Sequence, residues 1–371
     1  MTSHEVDPGL LAAARLFLPG LAGAEPLAGR STLLRAEHPD GVAVIRRLPG
    51  GMTPERAAAE AGLLAALAGT VPAPRPVAAP DGAAVVTVDG VRYSARGWLP
   101  GEPAARNAVA YPGPEDWLDL PAILPEGAFA AALAALGRLH VATAAGEALA
   151  LPPLAPAPLE GLAEAVRAAW SAARDRLRPG IHQTPAAQRW VAAAVRAMPA
   201  AAAARAAAGP GALAPSCVVQ LNAWPGHFLF GDGTLSGMLG WDRAAWGSPL
   251  LDVAQAAVRL RGWNAATAEE TIAAYGVERV LGPDERRALP ALAALDLVAI
   301  TGGLLAAAFA PSPQAPAPPM ALRVAIPRMI ESLENATAAL SAATSPRGSG
   351  RPSGAQRRRK AVQGPRTRSR R

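Results

Sequence analysis

Residues 218–254 begin Val218-Val219-Gln220-Leu221-Asn222-Ala223-Trp224-Pro225-Gly226-His227-Phe228-Leu229-Phe230. After a Gly231-Asp232-Gly233 turn they continue Met238-Leu239-Gly240-Trp241-Asp242-Arg243-Ala244-Ala245-Trp246-Gly247-Ser248-Pro249-Leu250-Leu251-Asp252-Val253-Ala254. The run from Cys217 to Gly240 reads as strand-like, with Asp232-Gly233 supplying a hairpin turn. A helix is expected from Leu250 to Leu260.

Upstream lies a small β-rich region. A short helix is expected over Pro8–Phe17, and strand-like runs around Pro26–Gly29, Thr32–Glu37 and Val42–Arg47. The last two are joined through Asp40-Gly41. Thr53-Pro54-Glu55 is a helix start, with Thr as N-cap and Pro at the first helical position, and the helix runs to about Ala68. Strands over Ala83–Val88 and Val91–Trp98 follow, joined by Asp89-Gly90. Beyond Pro100-Gly101 the pattern turns helical, with helices expected near 127–145, 159–177, 184–208, 250–260, 268–275, 283–310 and 321–343. This is an α+β arrangement of two lobes, residues 1–101 and 102–344, followed by a basic tail over 345–371.

The chain resembles the aminoglycoside phosphotransferase family, which includes choline-kinase-type enzymes, on the 218–254 stretch. In that family an apolar strand leads to His-Gly-Asp, Pro-Gly-Asn, a second strand, an Asp-Gly turn, Ile-Asp-Trp, Gly-Asp-Pro and an Asp-Leu-Ala-like step. The spacing here matches without a gap. The resemblance implies the two-lobed protein-kinase-like fold. It also implies transfer of phosphate from ATP to a small-molecule hydroxyl, with magnesium bridging the phosphates.

The resemblance assigns roles position by position, and the chain departs at the chemical ones. The base position is Asn222, an amide that cannot accept a proton at neutral pH, so general-base help of about 10²–10⁴-fold is lost. Gln220 and Leu221 replace the flanking His-Gly. The metal-binding positions hold His227 and Gly240, a poor set for a cation that prefers octahedral oxygen ligands. Asp242, two residues on, is the substitute carboxylate, and Asp232 a second; the plain alternative for Asp242 is a surface or salt-bridging acid. The turn and packing positions Pro225, Gly226, Trp241, Gly247, Pro249, Asp252 and Ala254 are kept, with Asp252 expected to brace the hairpin.

In the small lobe the resemblance places Arg46 as the phosphate-binding cation and Glu60 as its helix partner. Gly29-Arg30-Ser31 stands where a phosphate loop would be but lacks the Gly-rich pattern. Trp98 and Leu99, within Arg96-Gly97-Trp98-Leu99-Pro100-Gly101, form the linker beside which adenine would stack. His140 is expected as a core or helix-end histidine. The function implied is that of a degenerate phosphotransferase acting by binding a nucleotide, a small molecule or a protein partner, with ATP and magnesium weakened or lost. The alternative is an active ATP-dependent O-phosphotransferase with a rearranged metal site.

Charge sharpens the picture. The net charge is +7, yet the stretch from Ser345 to Arg371 holds ten basic residues and no acid, which leaves the preceding body at −3. The tail is expected to be disordered and to contact nucleic acid or an anionic surface. Lys360 is the only lysine, so any functional cation in the body is an arginine. The single cysteine, Cys217, excludes an internal disulfide framework and suits a reducing cytoplasm. The apolar window over 288–310 contains Pro290 and Asp296, and reads as a core helix rather than a transmembrane span.

Overall fold

A computed structural model describes residues 6–27, 32–105, 108–110, 117–144, 185–309 and 320–344. The helix expected over 159–177, the Gly29-Arg30-Ser31 segment and the tail from Ser345 lie outside the described residues.

The N-terminal part begins with α1 (Pro8–Phe17), capped by Asp7, whose carboxylate accepts from the Gly9 amide at 2.7 Å. Strands β1 (Gly23–Pro26), β2 (Leu33–His38) and β3 (Gly41–Arg47) follow. Next come α2 (Pro54–Ala66), β4 (Pro76–Val77), β5 (Val86–Val88) and β6 (Val91–Gly97). They form an antiparallel sheet of order β1-β2-β3-β6-β4, with β5 also on β6. The first strand sits earlier than the expected Pro26–Gly29.

Register explains how this sheet serves two purposes. Ala43, Ile45, Tyr93 and Ala95 point to one face and pack against Leu10, Ala13 and Phe17 of α1. Pairing puts Val44 opposite Arg96 and Arg46 opposite Ser94, so by the two-residue alternation both arginines lie on the other face. That face meets α2, where buried Ala57, Glu60, Leu63 and Leu64 form a helical stripe. One acid on an otherwise apolar stripe thus faces two arginines. Leu63 and Leu64 also join the large core of the second lobe, which ties α2 to both lobes.

The chain then makes short strands β7 (Glu102–Pro103), β8 (Ala108–Ala110) and β9 (Trp117–Asp119). The helical lobe starts with α3 (Glu126–Thr143) and α4 (Pro185–Ala208). After β10 (Cys217–Val219) come β11 (Phe228–Gly231), β12 (Thr234–Met238) and β13 (Ala245–Gly247). Helices α5 (Leu250–Leu260), α6 (Ala265–Gly276), α7 (Pro283–Phe309) and α8 (Met320–Thr344) complete it.

The 217–240 stretch is not one continuous pair of strands. β10 pairs with β13, whereas β11 pairs with β12 and β7. The break has a local cause: Leu221 takes φ +59°, and Pro225 opens a turn of 3₁₀ helix over Pro225–His227. That segment carries the candidate chemistry between the two small sheets. Helix α7, long and apolar enough to cross a membrane, packs in the helical core, and its Asp296 accepts two hydrogen bonds from Arg259 at 3.1 and 2.7 Å.

Candidate active site

The cleft wall on the sheet side is cationic. Arg46 Nη2 donates to Glu60 Oε2 at 3.0 Å, and Arg96 Nη2 donates to Glu60 Oε1. A single carboxylate is thus shared by two guanidinium groups, one oxygen each. Glu60 is buried, at 2% exposure, so its charge depends on these partners. The pairing leaves one positive charge in surplus. Burial first, and then the charge of Arg46, hold the Arg96 guanidinium below its ordinary range, at about 10. Glu60 and Asp242 act in the opposite sense on it. Arg96 stays protonated at neutral pH. The Nε of Arg46 is buried without a partner.

The opposite wall is built on Asp252. This carboxylate is fully buried at the start of α5 and accepts from the backbone amides of Gln220 and Leu221, each at 2.7 Å. His140 Nε2 adds a contact to its Oδ2 at 3.1 Å, and His140 Nδ1 meets the Tyr275 hydroxyl at 2.7 Å. Burial raises the Tyr275 hydroxyl well above its usual range. The three-sided grip on Asp252 holds Leu221 in its left-handed conformation, a state that costs about 1–3 kcal/mol in a non-glycine residue. It also fixes where Asn222 projects.

Asn222 Nδ2 donates to the Gly240 carbonyl at 3.0 Å and approaches Asp242 Oδ1 at 3.4 Å. His227 Nδ1 lies 2.9 Å from the Asn222 carbonyl. Gly240 has φ +76°, and a side-chain carbon there would stand 2.6 Å from His227 Nδ1 and 2.7 Å from Asn222 Nδ2. His227 and Asn222 therefore fill the space a Gly240 side chain would need. The left-handed Gly240 feeds a 3₁₀ turn over Trp241–Arg243, so the backbone curls instead of alternating as a strand. The turn buries Trp241, whose Nε1 donates to the Met238 carbonyl at 2.7 Å, and brings the Asp242 carboxylate beside Asn222. Asp232, in contrast, sits at the exposed tip of the β11–β12 turn with φ +49°.

The walls are stitched together by Arg56 of α2, whose Nη2 donates to the Asp242 carbonyl at 3.1 Å and to the Ala244 carbonyl. At the lobe junction Trp98 is 40% exposed, and the Arg35 guanidinium lies 5.6 Å from its ring centre. The Trp98 amide donates to Val42 at 2.8 Å. Leu99 packs beside Gly237. Next to Asn222, the Trp224 ring carries the Arg259 guanidinium at 4.4 Å.

The donor set decides what this cleft fits. Magnesium does not fit: Gly240 offers no side-chain oxygen and its carbonyl already accepts from Asn222, His227 offers an imidazole already bonded through Nδ1, and Asp242 is the single carboxylate beside them. Among the described residues no group of three or more His, Cys, Asp or Glu side chains is placed to hold a metal ion. The sheet wall carries instead two guanidinium groups on Glu60, a donor type whose fork matches phosphate oxygens. Sequence reasoning missed Arg96 as a charged member of the site, and Arg56 altogether. For Arg96 a signal existed, since it shares the parity of Arg46 on the adjacent strand.

No curated protein matches the chain in sequence. The structure is similar to an aminoglycoside phosphotransferase from Alicyclobacillus acidocaldarius, at 14% identity and TM-score 0.61, over 92% of this chain and 97% of that one. It is similar to a microcompartment-associated aminopropanol kinase, at 15% identity and TM-score 0.56, over 90% of this chain and 98% of that one. The choline kinase LicA from Streptococcus pneumoniae matches at 10% identity and TM-score 0.52, over 87% of this chain and 97% of that one. These likenesses establish the shared two-lobed fold. The model of the phosphotransferase enzyme family (APH) matches residues 25–292, and the chain belongs to that family.

Proposed function

We propose that this family member is a degenerate phosphotransferase that acts by binding in the interlobe cleft rather than by metal-assisted phosphoryl transfer. The observation that carries this reading is the filling of the Gly240 position by His227 and Asn222. In this fold, transfer relies on positioning and charge neutralisation by metal. Here the base position is an amide already donating to the Gly240 carbonyl. The three altered positions touch one another, so reversal of one alone restores nothing.

A second reading is favoured by one observation, the Asp242 carboxylate 3.4 Å from Asn222. In it Asp242 accepts the proton of an acceptor hydroxyl as its oxygen attacks the γ-phosphorus of ATP and ADP departs, with Asn222 orienting the carboxylate. The chain is then an ATP-dependent O-phosphotransferase.

The deciding experiment incubates the full chain with ATP, magnesium and hydroxylated small molecules, including aminoglycosides and choline, and reads phosphorylated product by mass. No product is expected. Turnover abolished by both Asn222→Ala and Asp242→Ala would sink the first reading and establish the second.

A further inference from the structure

Two changes stand on facing walls of the same cleft. One wall has no metal-ligand set, and the other has a second guanidinium on Glu60. A cation pair sharing one buried carboxylate is unusual by charge alone. Arg46 and Arg96 both meet Glu60, Asp242 acts on Arg96 through its charge, and Arg56 is committed to the backbone carbonyls of Asp242 and Ala244. Burial is expensive for an uncompensated charge, and the depression of Arg96 to about 10 registers that cost. An anion entering between the walls relieves it. Guanidinium suits the task, being always charged near neutrality and forked to match phosphate oxygens.

Building on the binding reading above, we propose that the cleft recognises the diphosphate group of a ligand without magnesium, with Arg96 supplying with Arg46 the positive charge that a metal ion would otherwise bring. The ligand class is a nucleoside di- or triphosphate or a smaller diphosphate compound.

The test follows thermal unfolding of the full chain in EDTA with inorganic diphosphate, ADP or ATP, and repeats it with excess magnesium. A ligand that prefers the native state raises the melting temperature. One bound equally by folded and unfolded chain, as through the ten tail charges, leaves it unchanged. Expected is a concentration-dependent rise in EDTA that magnesium does not increase. Arg96→Gln should weaken apparent affinity about tenfold or more, the value of one charge-assisted hydrogen bond, while Arg96→Lys recovers part of it. Stronger binding of ADP than of diphosphate assigns the site to a nucleotide; the reverse assigns it to a smaller phosphate compound. A rise that requires magnesium, no rise with any of the three, or an undiminished rise in Arg96→Gln overturns the proposal. If Arg96→Gln does not fold, Arg46→Gln takes its place, and the wild-type magnesium comparison still decides. A metal-free rise insensitive to Arg96 overturns this proposal alone. A magnesium-dependent rise with product formation overturns the binding reading as well.

Discussion

The two walls of the cleft differ in what they present. On the sheet wall Glu60 holds two arginines, and the charge apparatus is fuller than a single ion pair requires. On the hairpin wall Asn222, His227 and Gly240 interlock, and the space where ligands for a metal would project is occupied by side chains bonded to each other. Beneath that wall, however, the Asp252 brace is intact. The contrast teaches that scaffold and chemistry are separable here. The backbone that shapes the loop is held by Asp252, whichever side chains the loop presents to the cleft.

The largest expected effect breaks the scaffold beneath the hairpin wall. Asp252→Ala strands two buried amides and the His140 ring, and should cost about 3–5 kcal/mol. Urea unfolding should show it as a lower midpoint with the slope unchanged. Asp252→Asn, which keeps one acceptor oxygen, should lose clearly less. If Asp252→Ala were near neutral, the brace would not be what holds Leu221 at positive φ.

Next comes a substitution that asks whether the filled metal position can be reopened. Gly240→Asp puts a side chain into a left-handed residue and against His227 and Asn222, and should cost about 2–4 kcal/mol by strain and overpacking. Magnesium should give the variant no thermal stabilisation. The triple change Asn222→Ala, His227→Ala, Gly240→Asp removes the obstruction at the same time, and should be less destabilised than Gly240→Asp plus the other two changes taken separately. That non-additivity, read in melting temperatures, is the signature of three side chains sharing one space.

Arg56→Ala tests whether the walls depend on each other. It removes donors from the carbonyls of Asp242 and Ala244 and should cost about 1–2 kcal/mol. A drop in melting temperature with unchanged helix content by circular dichroism is the expected result.

How much of this was legible in the sequence depends on what each residue's position rests on. Two-residue alternation and Asp-Gly turns located β2, β3 and β6, and the Thr53-Pro54 cap located α2, because these are local rules. The spacing of 218–254 led to the family-level fold. Asp242 was identified as a substitute carboxylate, but alternation along a strand gave no secure direction for it. The structure resolves the direction through left-handed Gly240 and the 3₁₀ turn, a departure from strand geometry that a glycine permits but does not announce. Arg96 was read as part of a linker, although its pairing opposite Val44 puts it on the Arg46 face. Arg56 was unreadable, since its partners are backbone carbonyls 186 and 188 residues away and leave no mark on any side-chain pattern. The two small sheets of the second lobe were likewise merged in the sequence reading, because β10 finds its partner beyond the hairpin, in β13.

The smallest expected change in stability is the one that discriminates most sharply between the readings of the site. Asp242 is half-buried, accepts one long hydrogen bond, and acts on Arg96 through its charge. Asp242→Asn should therefore shift stability by no more than about 0.5 kcal/mol. Its effect on ligands differs between the two readings. If the cleft binds phosphate through its arginines, removing a negative charge beside Arg96 leaves the wall more positive, and diphosphate affinity in EDTA should rise, by about two- to fivefold for a partly screened charge. If Asp242 is instead the carboxylate that accepts a hydroxyl proton, the same variant should bind ATP as before and lose product formation by about 10²-fold or more. One conservative substitution, measured once by thermal shift and once by mass, thus separates a carboxylate that tempers a cationic site from one that performs proton transfer.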